Sequence, residues 1–276
     1  MLSFSSWTIL ESISIWLSSY LGIIIVLRNF DSYYLGLYQT SVTLVIQVLS
    51  IVSIAVTPVL FTTLSRLQNE DDEFKKMLFS FQSVVALIVI PLGFGLFSFR
   101  KFITLILLGE QWNEAANFIG LLGLITAFVI VFSHLSSEVY RSKGKPKISL
   151  FLQIIFLLFF VPSLTIAASY GFRALYIVHS ITQLTYIVVS SILMFRFFNV
   201  SLMDMLRGTA VKIIVAALMC LLSLALAQVS TAFLWNIISI TICILFYFGV
   251  LFCIKRERDL LCRLKAIIEK SFLKIE

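Results

Sequence analysis

The chain is poor in charge. Only 13% of its 276 residues are Asp, Glu, Lys or Arg, while 60% are apolar. Soluble domains carry about a quarter charged residues. A water-soluble particle of 31.3 kDa has too little polar surface here to cover itself. Long polar loops are missing as well, so no connection is large enough to hold an enzyme domain. The four cysteines, Cys220, Cys243, Cys253 and Cys262, form no CxxC pair and no metal-ligand spacing. They read as small buried hydrophobes, and no metal or cofactor is expected. The HExxH, GxSxG and P-loop patterns are absent, which argues against an enzyme. The first segment does not read as a secretory signal: Met1–Ser6 carries no positive charge, Glu11 interrupts the apolar run, and no A-x-A site follows.

What the chain has is apolar length, with a mean hydropathy of +1.05. Eight segments are legible, near 4–27, 36–62, 77–99, 115–138, 148–169, 172–197, 209–228 and 232–254. Each is long enough for a tilted bilayer span of about 20 residues. They are too long for the roughly ten-residue strands of a membrane barrel, and strict alternation is absent. The reading is an all-α, polytopic membrane helix bundle of about eight transmembrane helices. It divides into a six-span bundle at 1–200, two additional spans at 201–254, and a basic tail at 255–276. Leu260, Leu261, Leu264, Ile267 and Ile268 fall at helical spacing in that tail, which suggests an amphipathic helix on the membrane surface.

The net charge of +7 is a matter of topology rather than of nucleic-acid binding. With eight spans both termini share a side, and 17 of the 21 lysines and arginines then fall on it. Only Arg28, Arg100, Lys101 and Arg173 fall on the other. The positive-inside rule makes the basic side cytoplasmic, with both ends of the chain there. Trp112 and Trp235 fall at outer ends of spans, where amphipathic rings favour the interface. The outer connection Arg100–Glu114 is mostly apolar and is expected to dip into that interface. Asn199-Val200-Ser201 matches a glycosylation acceptor but lies on the cytoplasmic side, so it is discounted.

Ionisable and polar groups at bilayer depth are costly and mark pathways or interhelical contacts. Glu11 lies about two turns into the first span, with Ser14 and Ser18 on the same face. A carboxylate there can bind a cation, take up a proton or pair with an amine; near the headgroups it would merely snorkel. The second span carries a polar stripe of Gln39, Thr43, Gln47, Ser50 and Thr57. The sixth repeats it with His179, Gln183, Tyr186 and Ser190. The fourth has Thr126, Ser133 and Ser137, with His134 and Glu138 to one side. Such stripes line a hydrated cavity or bind helices together. His134 and His179 are suited to relay protons or to pack as hydrogen-bonded residues. Pro58, Pro91 and Pro162 lie inside spans, and Pro91-Leu92-Gly93-Phe94-Gly95 adds two small residues to a proline. Pro58, Pro91, Gly93 and Gly95 are therefore hinge candidates, with ordinary membrane packing as the alternative.

The order of several short motifs carries a resemblance. The first span ends Leu27-Arg28-Asn29-Phe30, and Tyr33-Tyr34-Leu35-Gly36-Leu37-Tyr38 opens the second. Thr57-Pro58-Val59-Leu60-Phe61 and the charged loop Arg66–Lys76 follow. Then come Leu107-Leu108-Gly109-Glu110-Gln111-Trp112-Asn113-Glu114-Ala115-Ala116 and the basic turn Arg141-Ser142-Lys143-Gly144-Lys145-Pro146-Lys147. The sequence resembles the Wzx-type polysaccharide and O-antigen flippases of the multidrug/oligosaccharidyl-lipid/polysaccharide exporter superfamily. Those transporters have 12 to 14 spans in two lobes. The resemblance implies that this chain is the second lobe plus the last two helices, a truncated chain lacking the first lobe. It further implies a bacterial inner-membrane protein that helps move undecaprenyl-diphosphate-linked oligosaccharide for O-antigen, lipopolysaccharide or related surface polysaccharide. Alternating access would be driven by an H+ or Na+ gradient, and a separate first-lobe polypeptide or a second copy would complete the cavity. Arg28 is the candidate contact for an anionic substrate group. The alternatives are a drug or peptidoglycan-precursor exporter of the same superfamily, or an inactive remnant or structural membrane subunit.

Overall fold

The computed structural model describes residues 2–230 and 232–260, with side chains from Ser5 onward. It is helical, with no strand among the described residues. Eight helical stretches are long and apolar enough to cross a bilayer: Ser5–Asn29, Ser32–Arg66, Asp71–Ser98, Glu110–Ser142, Pro146–Ala168, Phe172–Phe198, Leu202–Ala227 and Phe233–Cys253. They match the eight apolar segments of the sequence in number and order. The protein is thus a multi-pass helical membrane protein.

Chain chemistry sets the helix limits. The first helix, α1, is Leu2–Asn29 and the second, α2, is Ser32–Arg66. Between them Asp31 caps α2 by accepting from the backbone N–H of Tyr34 at 3.1 Å. The third, α3 (Asp71–Ser98), opens on Asp71, Asp72 and Glu73, which favour the positive end of the helix dipole. A short amphipathic helix, α4 (Arg100–Leu108), follows. Gly109 then turns the chain at φ 93°, where a side chain would be strained, into a 3-10 stretch at Glu110–Ala115.

The fourth span is not one regular helix. It runs as α5 (Ala116–Val129), a π turn at Ile130–His134, and α6 (Leu135–Ser142). The fifth, α7 (Pro146–Ala168), begins with proline at its first position, where no backbone donor is lost. The sixth breaks at Gln183 into α8 (Phe172–Thr182) and α9 (Leu184–Phe198). Just before the break, Ser180 and Thr182 hydroxyls donate to the carbonyls of Tyr176 and Val178, a pattern that loosens and bends helices. Asn199, in the left-handed region at φ 51°, ends α9. Ser201 and Asp204 then cap α10 (Leu202–Ala227) reciprocally, the Asp204 N–H donating to Ser201 Oγ at 3.1 Å. The last span is α11 (Phe233–Cys253), and the backbone is helical again over 255–260. The amphipathic tail expected at 255–276 lies outside the described residues from 261 onward.

The chain forms two compact units, Met1–Thr209 and Ala210–Glu276. In the first, α1 packs along α7, α3 along α5, and α2 against α3, α5 and α6. Helices in lipid approach closely where side chains are small. Here that place is Gly93 of α3: a Cβ on it would overlap Ala127 and come within 3.2 Å of the Gly123 carbonyl of α5. Gly95, two residues on, faces open space. In the second unit Trp235 Nε1 donates to the Leu226 carbonyl at 2.8 Å. Lys212 and Glu257 form a fully buried ion pair at 2.7 Å. The helical assignment runs unbroken through Pro58, Pro91 and Pro162.

These two glycines separate packing from flexibility. Gly93→Ala should destabilise the protein by about 1–3 kcal/mol through overpacking. Gly95→Ala should be neutral, or stabilising by about 0.5–1 kcal/mol as a helix-interior glycine is removed. Thermal unfolding in detergent, followed by size-exclusion chromatography of the fluorescently tagged chain, distinguishes them.

Candidate functional site

The polar residues of the first unit assemble at four places. The first lies where α1 meets α6. Glu11 is buried, and its Oε1 accepts from Arg141 Nη2 at 3.0 Å. Arg141 Nη1 donates to Glu138 Oε1, also at 3.0 Å. One guanidinium is therefore shared by two carboxylates on different helices, both carboxylates being buried. The network is incomplete: Glu11 Oε2 and Arg141 Nε are buried without a hydrogen-bond partner in the protein. Buried polar atoms left in that state are costly and call for an explanation.

Ser14 and Ser18 continue the same face of α1. Gln153 of α7 donates through Nε2 to Ser18 Oγ at 2.6 Å and to the Ser14 carbonyl at 3.4 Å. Its Oε1 accepts from Tyr186 of α9 at 2.7 Å. A single glutamine thus ties three helices with both ends of its amide.

The third place is His179. It is buried, its Nδ1 lies 3.0 Å from the Tyr38 hydroxyl, and Phe118 and Phe160 pack edge-on around it. Gly22 makes room for this pair, because a Cβ there would collide with the Tyr38 hydroxyl. The fourth is the π turn itself. Gln82 of α3 donates to the Val131 carbonyl at 3.2 Å, from a position almost wholly buried. A π turn misaligns backbone carbonyls, and such turns collect at functional sites.

Gln47 sits apart from all of these. It is exposed on α2 and lines an open groove of about 570 Å³ together with Gln39, Thr40, Thr43 and two leucines of α4, Leu107 and Leu108. The stripe expected on the second span is therefore on the surface of this unit. His134 is likewise exposed, at the end of the π turn, and Gln183 is half-buried at the break between α8 and α9. Arg28 is exposed in the last turn of α1. Seventeen residues of helix, about 25 Å, separate it from Glu11. The structure thus gathers Glu11, Ser14 and Ser18 along one seam, while His179, Gln47 and Arg28 are elsewhere.

Sequence reasoning missed Gln153, Gln82 and Arg141 as parts of this arrangement. A lone glutamine inside an apolar run is itself a signal, and both Gln82 and Gln153 give it. Arg141 was counted only as rim charge, and nothing in its local sequence shows that its guanidinium turns back to Glu11. Lys212 was counted in the same way and is buried.

Two of the short motifs meet in space. Gly36 lies under the Trp112 ring, which would stand 3.3 Å from a Cβ on that glycine. Both motifs fall inside the segment that matches a family model. Residues 1–117 match the family described as polysaccharide biosynthesis protein. That range holds α1 to α4, the 3-10 stretch and the first residues of α5. The chain is also similar to an uncharacterized membrane protein in the cps region of Klebsiella pneumoniae, 27% identical over 163 residues. The match covers 59% of this chain and 33% of that protein, so the chain spans about a third of the relative's length. No solved structure matches. The resemblance drawn from the motifs is thereby supported.

Removing different members of the Glu11 network should have unequal effects. Arg141→Ala leaves two buried carboxylates facing each other and should cost about 3 kcal/mol. Glu11→Gln keeps a hydrogen-bond acceptor and leaves the Arg141–Glu138 pair, so its cost should stay below about 1 kcal/mol. Thermal unfolding of the two variants in the same detergent measures the difference, and equal losses would show that the Arg141–Glu138 pair alone does not sustain the network.

Proposed function

We propose that the chain forms the second lobe of a transporter that carries lipid-linked oligosaccharide across the bacterial inner membrane for surface polysaccharide. The observation that carries this reading is the α2 groove. Gln39, Thr43 and Gln47 are exposed on a helix otherwise apolar enough for lipid. Amide and hydroxyl groups in hydrocarbon would be unsatisfied, so this face belongs against water, sugar or another protein surface. The matches to the polysaccharide biosynthesis family and to a cps-region membrane protein support the class of cargo.

On this reading the groove is one wall of a central cavity. A first lobe, supplied by another polypeptide or by a second copy, forms the facing wall. The sugar and diphosphate travel through the cavity while the isoprenoid tail stays in the bilayer. The concentration of basic residues on one side supports cytoplasmic termini on this reading. Arg28, at the opposite rim, is then placed to meet an anionic group on the outer side. Nothing in this scheme requires the chain to act as an enzyme.

Glu11 is the coupling group in the proposal. Two carboxylates share one guanidinium, so the seam holds an excess negative charge when both are ionised. A proton or a sodium ion on Glu11 would balance that charge and free Arg141 for Glu138 alone. Charge balance would then set how tightly α1 is held to α6.

The test is complementation of a flippase-deficient strain with this chain and its complementary lobe. The wild-type pair should restore surface polysaccharide. Glu11→Gln should cut export at least tenfold, about the effect of 1.4 kcal/mol on the rate-limiting step, with normal amounts in the membrane. Full export by Glu11→Gln would remove the coupling role. Failure of the wild-type pair to restore export would remove the flippase reading.

A further inference from the structure

The turn between α6 and α7 carries four cations in seven residues: Arg141, Lys143, Lys145 and Lys147. The structure divides them into two kinds. Arg141 is held by Glu11 and Glu138. Lys143 is held by Asp71 at 2.7 Å and by the Gln68 carbonyl at 2.6 Å. Lys145 and Lys147 are exposed and have no carboxylate in ion-pair reach among the described residues.

These two lysines are nonetheless fixed in place. Lys145 Nζ lies 5.7 Å and 5.4 Å from the ring centres of Phe197 and Phe198, at the end of α9. Lys147 Nζ lies 4.9 Å from the ring of Trp7, near the start of α1. A ring face attracts an ammonium without neutralising it. Both charges are therefore oriented and unspent. They sit at the ends of three candidate spans, Ser5–Asn29, Pro146–Ala168 and Phe172–Phe198. That is the level at which lipid phosphates lie in a bilayer.

The surface beside them is suited to an acyl chain. Val188, Ile192 and Phe195 are 59%, 62% and 62% exposed and follow one another along one face of α9 toward Phe197 and Phe198. A charged rim above an apolar track is the complement of a whole anionic phospholipid: phosphate at the lysines, tail along α9.

We infer that Lys145 and Lys147 form a binding site for the phosphate of an anionic membrane phospholipid, with its acyl chain against α9. The site is separate from the α2 groove and from Glu11, and it does not depend on what the protein transports. Clamping α7 to the termini of α1 and α9 through a lipid would hold together the helices that carry the Gln153 network.

Native mass spectrometry of the full chain tests this, with phosphatidylglycerol and phosphatidylcholine as probes. Phosphatidylglycerol should bind in preference to phosphatidylcholine. Each of Lys145→Gln and Lys147→Gln should weaken that binding about fivefold, and the double variant about 25-fold. Lys145→Arg/Lys147→Arg should retain binding, because charge and ring contact persist. Lys76→Gln should not weaken it, since that lysine is already balanced by Glu73 at 2.7 Å. Unchanged phosphatidylglycerol binding in the double glutamine variant would overturn the site, as would equal loss in Lys76→Gln. Lysine-dependent binding of polyprenyl phosphate without phosphatidylglycerol binding would overturn the phospholipid assignment. The phosphatidylglycerol outcomes do not bear on transport, so the site and the flippase reading fail separately.

Discussion

A polar group inside hydrocarbon has no water to fall back on, and one buried without a partner in the protein is costly. The rest of the first unit follows from that requirement. Between helices in lipid there is little hydrophobic driving force, because a lipid tail is as apolar as a leucine. Specific association therefore depends on close approach and on polar contacts across helices. Gly93 supplies the first between α3 and α5. Gln153, which joins α1, α7 and α9, supplies the second. Hydroxyls that face outward settle the requirement locally. Ser12, Thr62 and Thr165 donate to carbonyls one turn back, which lets them lie near lipid without a distant partner.

Gln82 Oε1, Ser98 Oγ and Ser149 Oγ are also buried without a partner, but two departures from complete satisfaction involve a charge or an open face. The Glu11–Arg141–Glu138 network buries an unpaired oxygen and an unpaired nitrogen. The α2 groove leaves amides and hydroxyls exposed on a helix of spanning length. They differ in kind. The first is internal and charged, so its occupancy changes how two helices of one unit attract each other. The second is open and neutral, and it accommodates hydrogen-bonding groups without demanding a charge. On the proposed function, the first would sense an ion and the second admit cargo, and separating them would keep the cargo wall free of the coupling charge.

The spans were legible because apolar length is a one-dimensional property. The apolar run 36–62 lies within the helix Ser32–Arg66, and the run 77–99 overlaps the helix Asp71–Ser98. The missing residues are polar or charged end turns, which hydropathy does not count. Interruptions were not legible. The π turn at Ile130–His134 contains neither proline nor glycine, and a residue of another helix, Gln82, holds it. Conversely, proline at 58, 91 and 162 leaves the helical assignment continuous, because a spanning helix packed among neighbours tolerates one lost donor. Periodicity placed Glu11, Ser14 and Ser18 on one face, but not the partner of that face. Arg141 lies 130 residues away in a basic turn, and rim charge conceals a guanidinium that points inward.

The motifs that carry the resemblance explain the division between what the family match conveys and what it does not. Gly36 and Trp112 belong to two of them and are in contact. Tyr38, from the same motif as Gly36, reaches His179 only because Gly22 has no side chain in its way. These residues pack together, and they fix how the first, second and sixth spans sit around Phe118. Packing constraints of this kind preserve an architecture across changes of cargo. Gln39, Thr43 and Gln47 are under no such packing constraint: they are exposed and line the open groove beside Leu107 and Leu108. On the proposed function, any cargo selectivity would belong to the α2 stripe, whose polar side chains line the open groove.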